Sequence, residues 1–360
     1  MKKEYQSNWL DQRGENEVLT DAFEKAKMIN YEKLLQISKD IEEKNWKKVL
    51  LKEHVNTVKF VINHQNTLNI KINANEVFDR SCESGPSELA KYLFKNAHSL
   101  KIDYPPSTIP FNPNRAFSKA CNEGHFGLVA IFMENAAKLR IDLPPKNWNG
   151  NECFRKACEN GQSELAEIFI KNAAILGLDL KWNGNESFRK ACEDGESALA
   201  ATLLKNADTL GIDVNATDYD RMTGFMLACF KGHVDVTRVL MEHSAISDID
   251  LNAQGRNGYT AFMYACERGH FDVAQVLMEN STTSKINLNA KSDDGSTAFI
   301  WACFYGKARI VELMLDKADA LQLDLVAIES DGQTAFQNAV ERGHTDVVNL
   351  INDKCPSIAL

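Results

Sequence analysis

The chain has 360 residues, 44% hydrophobic and 25% charged, with a net charge of −9, a balance that fits a folded protein and excludes a disordered or fibrous one. No run approaches the roughly 18 apolar residues of a membrane span, and the opening MKKEYQSNWLDQRGENE lacks the apolar block of a signal peptide; a cytoplasmic or nuclear protein without membrane insertion is expected. Residues 1–72 carry 13 Lys/Arg and 11 Asp/Glu, leaving 28 against 39, a net −11, for the rest, which speaks against nucleic acid as a partner.

Residues 1–17 are polar. From Thr20 the pattern becomes helical: Phe23, Ala26, a turn at Asn30, then Leu34, Leu35 and Ile37; Trp46, Val49 and Leu50 follow, then Val58, Val61 and Ile62. Residues 1–72 are therefore read as a helical N-terminal capping segment of two degenerate units, with an unrelated docking domain as the alternative. Beyond them a Phe-x-x-Ala-Cys-x-x-Gly core recurs. It puts Cys82, Cys121, Cys158, Cys192, Cys229, Cys266 and Cys303 in one column that Val340 completes, at intervals of 39, 37, 34 and then four times 37 residues. A period of about 20–50 residues marks an array whose units bury their apolar faces against their neighbours. Eight units are expected, at 73–112, 113–148, 149–182, 183–220, 221–257, 258–294, 295–331 and 332–360.

Within a unit, Phe262, Ala265 and Cys266 share one face of a short helix that Gly269 ends. Val273/Ala274 and Leu277/Met278 give a second helix, and Asp293-Asp294-Gly295 signals a tight turn. The stretch Thr260-Ala261-Phe262-Met263-Tyr264-Ala265, followed by Gly269-His270, resembles the ankyrin repeat, where that family has Thr-Pro-Leu-His-x-Ala and a Gly-His pair. The resemblance implies an all-α fold, an α-solenoid of helix-turn-helix units with projecting β-hairpin or loop fingers. Two departures stand out: Met226, Met263 and Ile300 replace the motif's His, so apolar packing must substitute for its hydrogen bonds, and about four extra residues lengthen the outer helix.

The first four units place Asn three residues before the Phe (Asn75, Asn114, Asn151, Asn185) and the last four place Thr two before it (Thr223, Thr260, Thr297, Thr334). Both types read as helix N-caps. Gly258, Gly295 and Gly332 predict regular hairpins in the last units, whereas Pro105-Pro106 and Pro144-Pro145 predict irregular ones earlier. Asn215, Asn252 and Asn289 read as helix-terminating residues, or as modification points by the resemblance. The column cysteines read as small core residues too far apart for disulfides, while Cys153 and Cys355 fall outside the column.

No catalytic, phosphate-binding or metal-ligand motif is present; no catalytic residue, cofactor or metal is expected, and His125, His233, His270 and His344 read as outer-helix starts. At about 100° per residue, positions two, five and six after the Phe turn away from the core, toward the concave groove in ankyrin proteins. In the first four units these positions are polar, as with Lys156, Glu159 and Asn160. In the next three they become Leu227 and Phe230, then Tyr264, then Trp301, Phe304 and Tyr305. That apolar patch is expected to be exposed and to bind a protein or peptide ligand, with Trp148 and Trp182 as peripheral contacts in matched Trp-Asn-Gly-Asn-Glu loops. The expected function is a non-catalytic interaction scaffold, monomeric with self-association possible; a regulatory subunit or inhibitor of an enzyme or transcription factor is the alternative. Cys266→Ser should destabilise by about 1–3 kcal/mol, since a hydroxyl replaces a thiol in an apolar column; an unchanged melting temperature would show that the column is not buried.

Overall fold

Each recurring Phe lies near the start of a short helix, and a second helix follows it closely. The computed structural model describes residues 36, 37, 39, 40, 43, 45, 49, 51, 54–63, 65, 73–84, 87–97, 99–100, 113–136, 141, 149–181 and 183–359. Phe23, Ala26, Asn30, Leu34, Leu35, Trp46, Leu50, the two Pro-Pro pairs, Trp148 and Trp182 lie outside the described residues. The chain divides into two compact units, Met1–Cys153 and Phe154–Leu360.

In the first unit, helix α1 (Val55–Asn63) is followed by α2 (Ala74–Ser84), α3 (Ser87–Lys95), α4 (Pro113–Asn122) and α5 (Phe126–Glu134). Val58, Val61 and Ile62 are buried as their spacing requires. Phe78 and Phe117 are fully buried, each against an outer-helix ring, Phe94 at 6.3 Å and Phe132 at 6.2 Å between centroids. The division falls within α6 (Gly150–Glu159). The second unit continues with α7 (Ser163–Lys171), α8 (Ala173–Leu176), α9 (Gly184–Asp194), α10 (Ser197–Lys205), α11 (Ala207–Leu210), α12 (Gly224–Lys231) and α13 (Val234–Ser247). It ends with α14 (Ala261–Arg268), α15 (Phe271–Glu279), α16 (Ala298–Phe304), α17 (Ala308–Leu321), α18 (Ala335–Glu341) and α19 (Thr345–Lys354). Inner helices α9, α12, α14, α16 and α18 pack in succession, and so do the outer helices α10, α13, α15, α17 and α19.

The core is the column that the spacing defines. Phe188, Phe225, Phe262 and Phe299 are buried with Met226, Met263 and Ile300, and all seven column cysteines are buried and free. Burial pushes the thiols of Cys158 and Cys229 up to about 12, although bonds from Ser187 and Thr237 act in the opposite direction. Val340, the column's last member, is exposed. Cys153 is also buried, its sulfur donating to Asn122 Oδ1 at 3.1 Å.

The two N-terminal idioms correspond to two helix lengths. Thr223, Thr260, Thr297 and Thr334 cap as expected, each Oγ1 accepting from the backbone N–H three residues on at 3.3–3.4 Å. Those helices begin one residue before the Phe. The Asn-type helices begin four residues before it, so Asn75, Asn114, Asn151 and Asn185 lie in the first turn and not at the cap. The caps are two residues earlier: Asn73 Oδ1 accepts from Glu76 N at 3.3 Å and Asn149 Oδ1 from Glu152 N at 3.2 Å. Asn185 Oδ1 instead accepts from Asp213 N at 2.8 Å.

The extra residues of the long period take more than one form. Where Asn172 or Asn206 follows the outer helix, its amide donates to the carbonyl four residues back at 2.8 Å, and the helix is interrupted before a separate turn, α8 or α11. Where His243 or Lys317 holds that place, α13 and α17 run unbroken for 14 residues.

The fingers are loops. Among the described residues there is no strand, only the isolated bridge Ile328–Thr334. Each finger of the last four units is closed by an equivalent bond: Asp218 N to Met222 O, Gly255 N to Tyr259 O, Ser292 N to Ser296 O and Glu329 N to Gln333 O, at 2.8–3.0 Å. Asparagine joins finger to finger. Asn215, Asn252 and Asn289 each use both amide atoms, Nδ2 donating to the carbonyls of Asp248, Lys285 and Gln322 and Oδ1 accepting from the N–H of Asp250, Asn287 and Asp324, at 2.7–2.9 Å. They bridge units; they do not end helices.

The Gly-His pair is a second joint. His233, His270 and His344 start outer helices as expected, without a side-chain cap. Each Nε2 donates instead to a carbonyl at the end of the preceding unit's inner helix, Glu193, Phe230 and Phe304, at 2.8–2.9 Å. Carbonyls there have no partner within the helix. The imidazoles lie over Gly195, Gly232 and Gly306, where an added Cβ would come within 2.5–2.7 Å of the ring. These glycines also sit at positive φ, 63–82°. Gly306→Ala should therefore cost more than the about 1–2 kcal/mol of left-handed backbone alone. In a His344→Ala background the same change should cost distinctly less, measured as a coupling energy in a double-mutant cycle; strict additivity would show that the ring does not rest on the glycine.

Candidate functional site

The Lys190 end of the inner-helix face is a solvated polar surface, where Lys190 pairs with Glu193 at 3.6 Å and Asp194 at 2.8 Å. The next three units change it. Tyr264 and Trp301 occupy equivalent places 37 residues apart, and Phe230, Glu267 and Phe304 form the neighbouring column. Rings link continuously: Phe230–Tyr264 (5.6 Å), Tyr264–Tyr259 (5.2 Å), Tyr259–Trp301 (5.0 Å), Trp301–Phe304 (5.4 Å) and Phe304–Tyr305 (4.9 Å), with Tyr305 stacked on Trp301 at 6.0 Å and 27°.

The expected exposed patch is thus largely covered by itself. Leu227, Tyr264 and Trp301 are only 7–9% exposed, Phe230 and Phe304 are half-buried, and Tyr305 is 41% exposed. This corrects the expectation from helical spacing, which gives the direction of a side chain but not what its neighbours cover. Tyr259 supplies the missing cover. It precedes the Thr260 cap, its carbonyl accepts the finger-closing bond from Gly255 N at 2.8 Å, and its ring lies against both Tyr264 and Trp301. Its signal in the sequence is faint: the column reads Met222, Tyr259, Ser296, Gln333, with one aromatic among four. At Gly255 an added Cβ would lie 3.4 Å from the Tyr264 hydroxyl, so the finger backbone passes close over that ring.

Charge surrounds the rings. Arg268 lies over Phe230 at 4.2 Å and Arg342 over Phe304 at 3.3 Å. Glu267, one helical turn beyond Tyr264, has a side chain only 15% exposed, and Arg268 Nε lies 3.6 Å from it. Burial raises its carboxyl above the usual range, against the pull of Arg268 and Lys307. Burial also raises the Tyr259 and Tyr264 hydroxyls, and the Glu267 charge adds to both. The Trp301 indole Nε1 is buried without a hydrogen-bond partner, an arrangement that costs about 1–3 kcal/mol if nothing accepts from it. Trp148 and Trp182 lie outside the described residues. Among the described residues no His/Cys/Asp/Glu group could hold a metal ion.

Helix pairs stacked through Gly-His and Asn joints, with loop fingers over one face, define a helix-turn-helix repeat protein. The family model described as "Ankyrin repeats (3 copies)" matches residues 190–291 and 283–357. Residues 190–357 are thus an ankyrin repeat array, a fold that serves protein–protein interaction. No curated protein matches the chain. Among the described residues no helix is long and apolar enough to cross a membrane.

Because Trp301 is clamped by three rings, Trp301→Ala should destabilise by about 3 kcal/mol and Trp301→Phe by much less. Chemical denaturation followed by circular dichroism tests this. A Trp301→Ala protein as stable as the wild type would show that the ring cluster does not form in solution.

Proposed function

We propose that the protein is a non-catalytic interaction scaffold that holds a protein or peptide partner against the inner-helix face formed by Leu227, Phe230, Tyr264, Trp301, Phe304 and Tyr305. The observation that carries this reading is the ring face itself: side chains of three successive units, with Tyr305 exposed and Phe230 and Phe304 half-buried, form an aromatic surface where the Lys190 end is polar. Aromatic side chains held rigid by their neighbours lose little entropy on binding, which is why Trp and Tyr dominate interface hot spots. Trp148 and Trp182 belong to the proposal as peripheral contacts. Residues 1–72 act as the cap, and the eight units bounded as above form the array. The protein works without cofactor or metal, as a monomer, in the cytoplasm or nucleus.

The test uses the exposed member of the cluster, which can be truncated without emptying the core. Tyr305→Ala should weaken partner capture by 10-fold or more, about 1.4 kcal/mol per decade, with the melting temperature nearly unchanged. Lys156→Ala with Lys190→Ala, in the polar half, should leave capture intact. Mass spectrometry of material retained by wild type and variants, followed by titration of the recovered partner, reads both. Loss of the partner from the lysine variant alone would move the binding surface to the polar units.

A further inference from the structure

At three of the last four unit boundaries the inner-helix face follows a rule. The residue six after the Phe of one unit meets the residue five after the Phe of the unit before. Lys231 pairs with Glu193 at 3.3 Å, Arg268 lies over Phe230 at 4.2 Å, and Arg342 lies over Phe304 at 3.3 Å. In each case a cation of the later unit covers an acceptor of the earlier one, a carboxylate or a ring face. One boundary breaks the rule. There the acceptor is Glu267, and the residue that should bring the cation is Tyr305.

The consequence is a carboxylate with a 15% exposed side chain whose ionic contact, among the described residues, is its own neighbour Arg268 at 3.6 Å, with Lys307 also acting on it. Tyr264 stands one helical turn before it, and Trp301 and Tyr305 belong to the adjoining unit. Trp301, about nine-tenths buried, lies against the Tyr259 and Tyr305 rings of this face. Thus Glu267, alone among these four acceptors, is met at the equivalent place of the following unit by an aromatic ring and not by a cation.

We infer that this slot takes an arginine side chain of the bound partner, its guanidinium opposite Glu267 and against the Tyr305 and Tyr259 rings. Arginine fits better than lysine because a planar guanidinium stacks on ring faces and is shed from water more readily than an ammonium. The same array already places guanidinium groups on Phe230 and Phe304, on either side of the slot. The net −11 of the array residues favours the approach of a basic segment. The inference rests on the groove reading above and names the chemistry of its ligand.

The probe is N-acetyl-arginine N-methylamide, titrated to about 50 mM into the full chain labelled with 15N-tryptophan, and the readout is the indole N–H resonance assigned by Trp301→Phe. That resonance should move saturably. The citrulline analogue, of the same shape but uncharged, should leave it in place, and the lysine analogue should bind at least threefold more weakly. Glu267→Gln should weaken arginine binding at least fivefold without lowering the melting temperature, since the amide removes a half-buried charge. Tyr305→Arg, which restores the array's own rule, should fill the slot from within and abolish the response. Equal movement with citrulline, tighter binding of lysine, wild-type affinity in Glu267→Gln, or no movement with arginine overturns the inference. If the arginine probe fails while Tyr305→Ala still loses the partner, the groove stands and only the cation is wrong; if both fail, the groove reading falls too.

Discussion

The imidazole that begins one outer helix also completes the inner helix of the unit before it. Helix ends leave carbonyls without partners, and in short helices of seven to eleven residues those ends are a large share of the backbone. His233, His270 and His344 each donate to such a carbonyl one unit upstream, and this is possible only because Gly195, Gly232 and Gly306 have no side chain beneath the ring. At the opposite edge, Asn215, Asn252 and Asn289 stitch successive fingers by two bonds each. A unit in isolation would leave these groups unsatisfied, so the units order one another.

Those joints hold the inner helices in fixed register, and register makes the aromatic face. Columns 37 residues apart come side by side, so Tyr264 adjoins Trp301 and Glu267 lies between Phe230 and Phe304. The finger then adds Tyr259, held by the bond that closes its own loop. Burial of the rings is thus a property of the array, not of any one helix: each ring is covered by a residue from the next unit or from a finger.

Much of this was legible in the residues because a 37-residue period repeats every signal. The Phe-Ala-Cys column, the Thr caps, the glycine stops and the polar Lys190 end all stand where spacing places them. What was not legible depends on contacts between units. The Asn residues three before the Phe look like caps by type, yet helix geometry moves the cap to Asn73 and Asn149, and Asn185 serves the next finger instead. The direction of Trp301 could be read from the helical period, but its burial could not, because the covering Tyr259 lies on a loop 42 residues away in sequence. Likewise the isolation of Glu267 becomes visible only when adjacent helices are laid side by side.

The Gly-His joint has a bearing on how such a chain can change its length. Removing residues 233–269 would bring Gly232 directly before His270, recreating the junction that was excised, whereas a cut of 270–306 would set Lys307 after Gly269. A cut of 36 or 38 would misplace the imidazole, the Asn bridge and the Thr cap at once. Viable insertions and deletions in this part of the molecule therefore come in whole units, and each one adds or subtracts a strip of the binding face while leaving the flanking strips as they were.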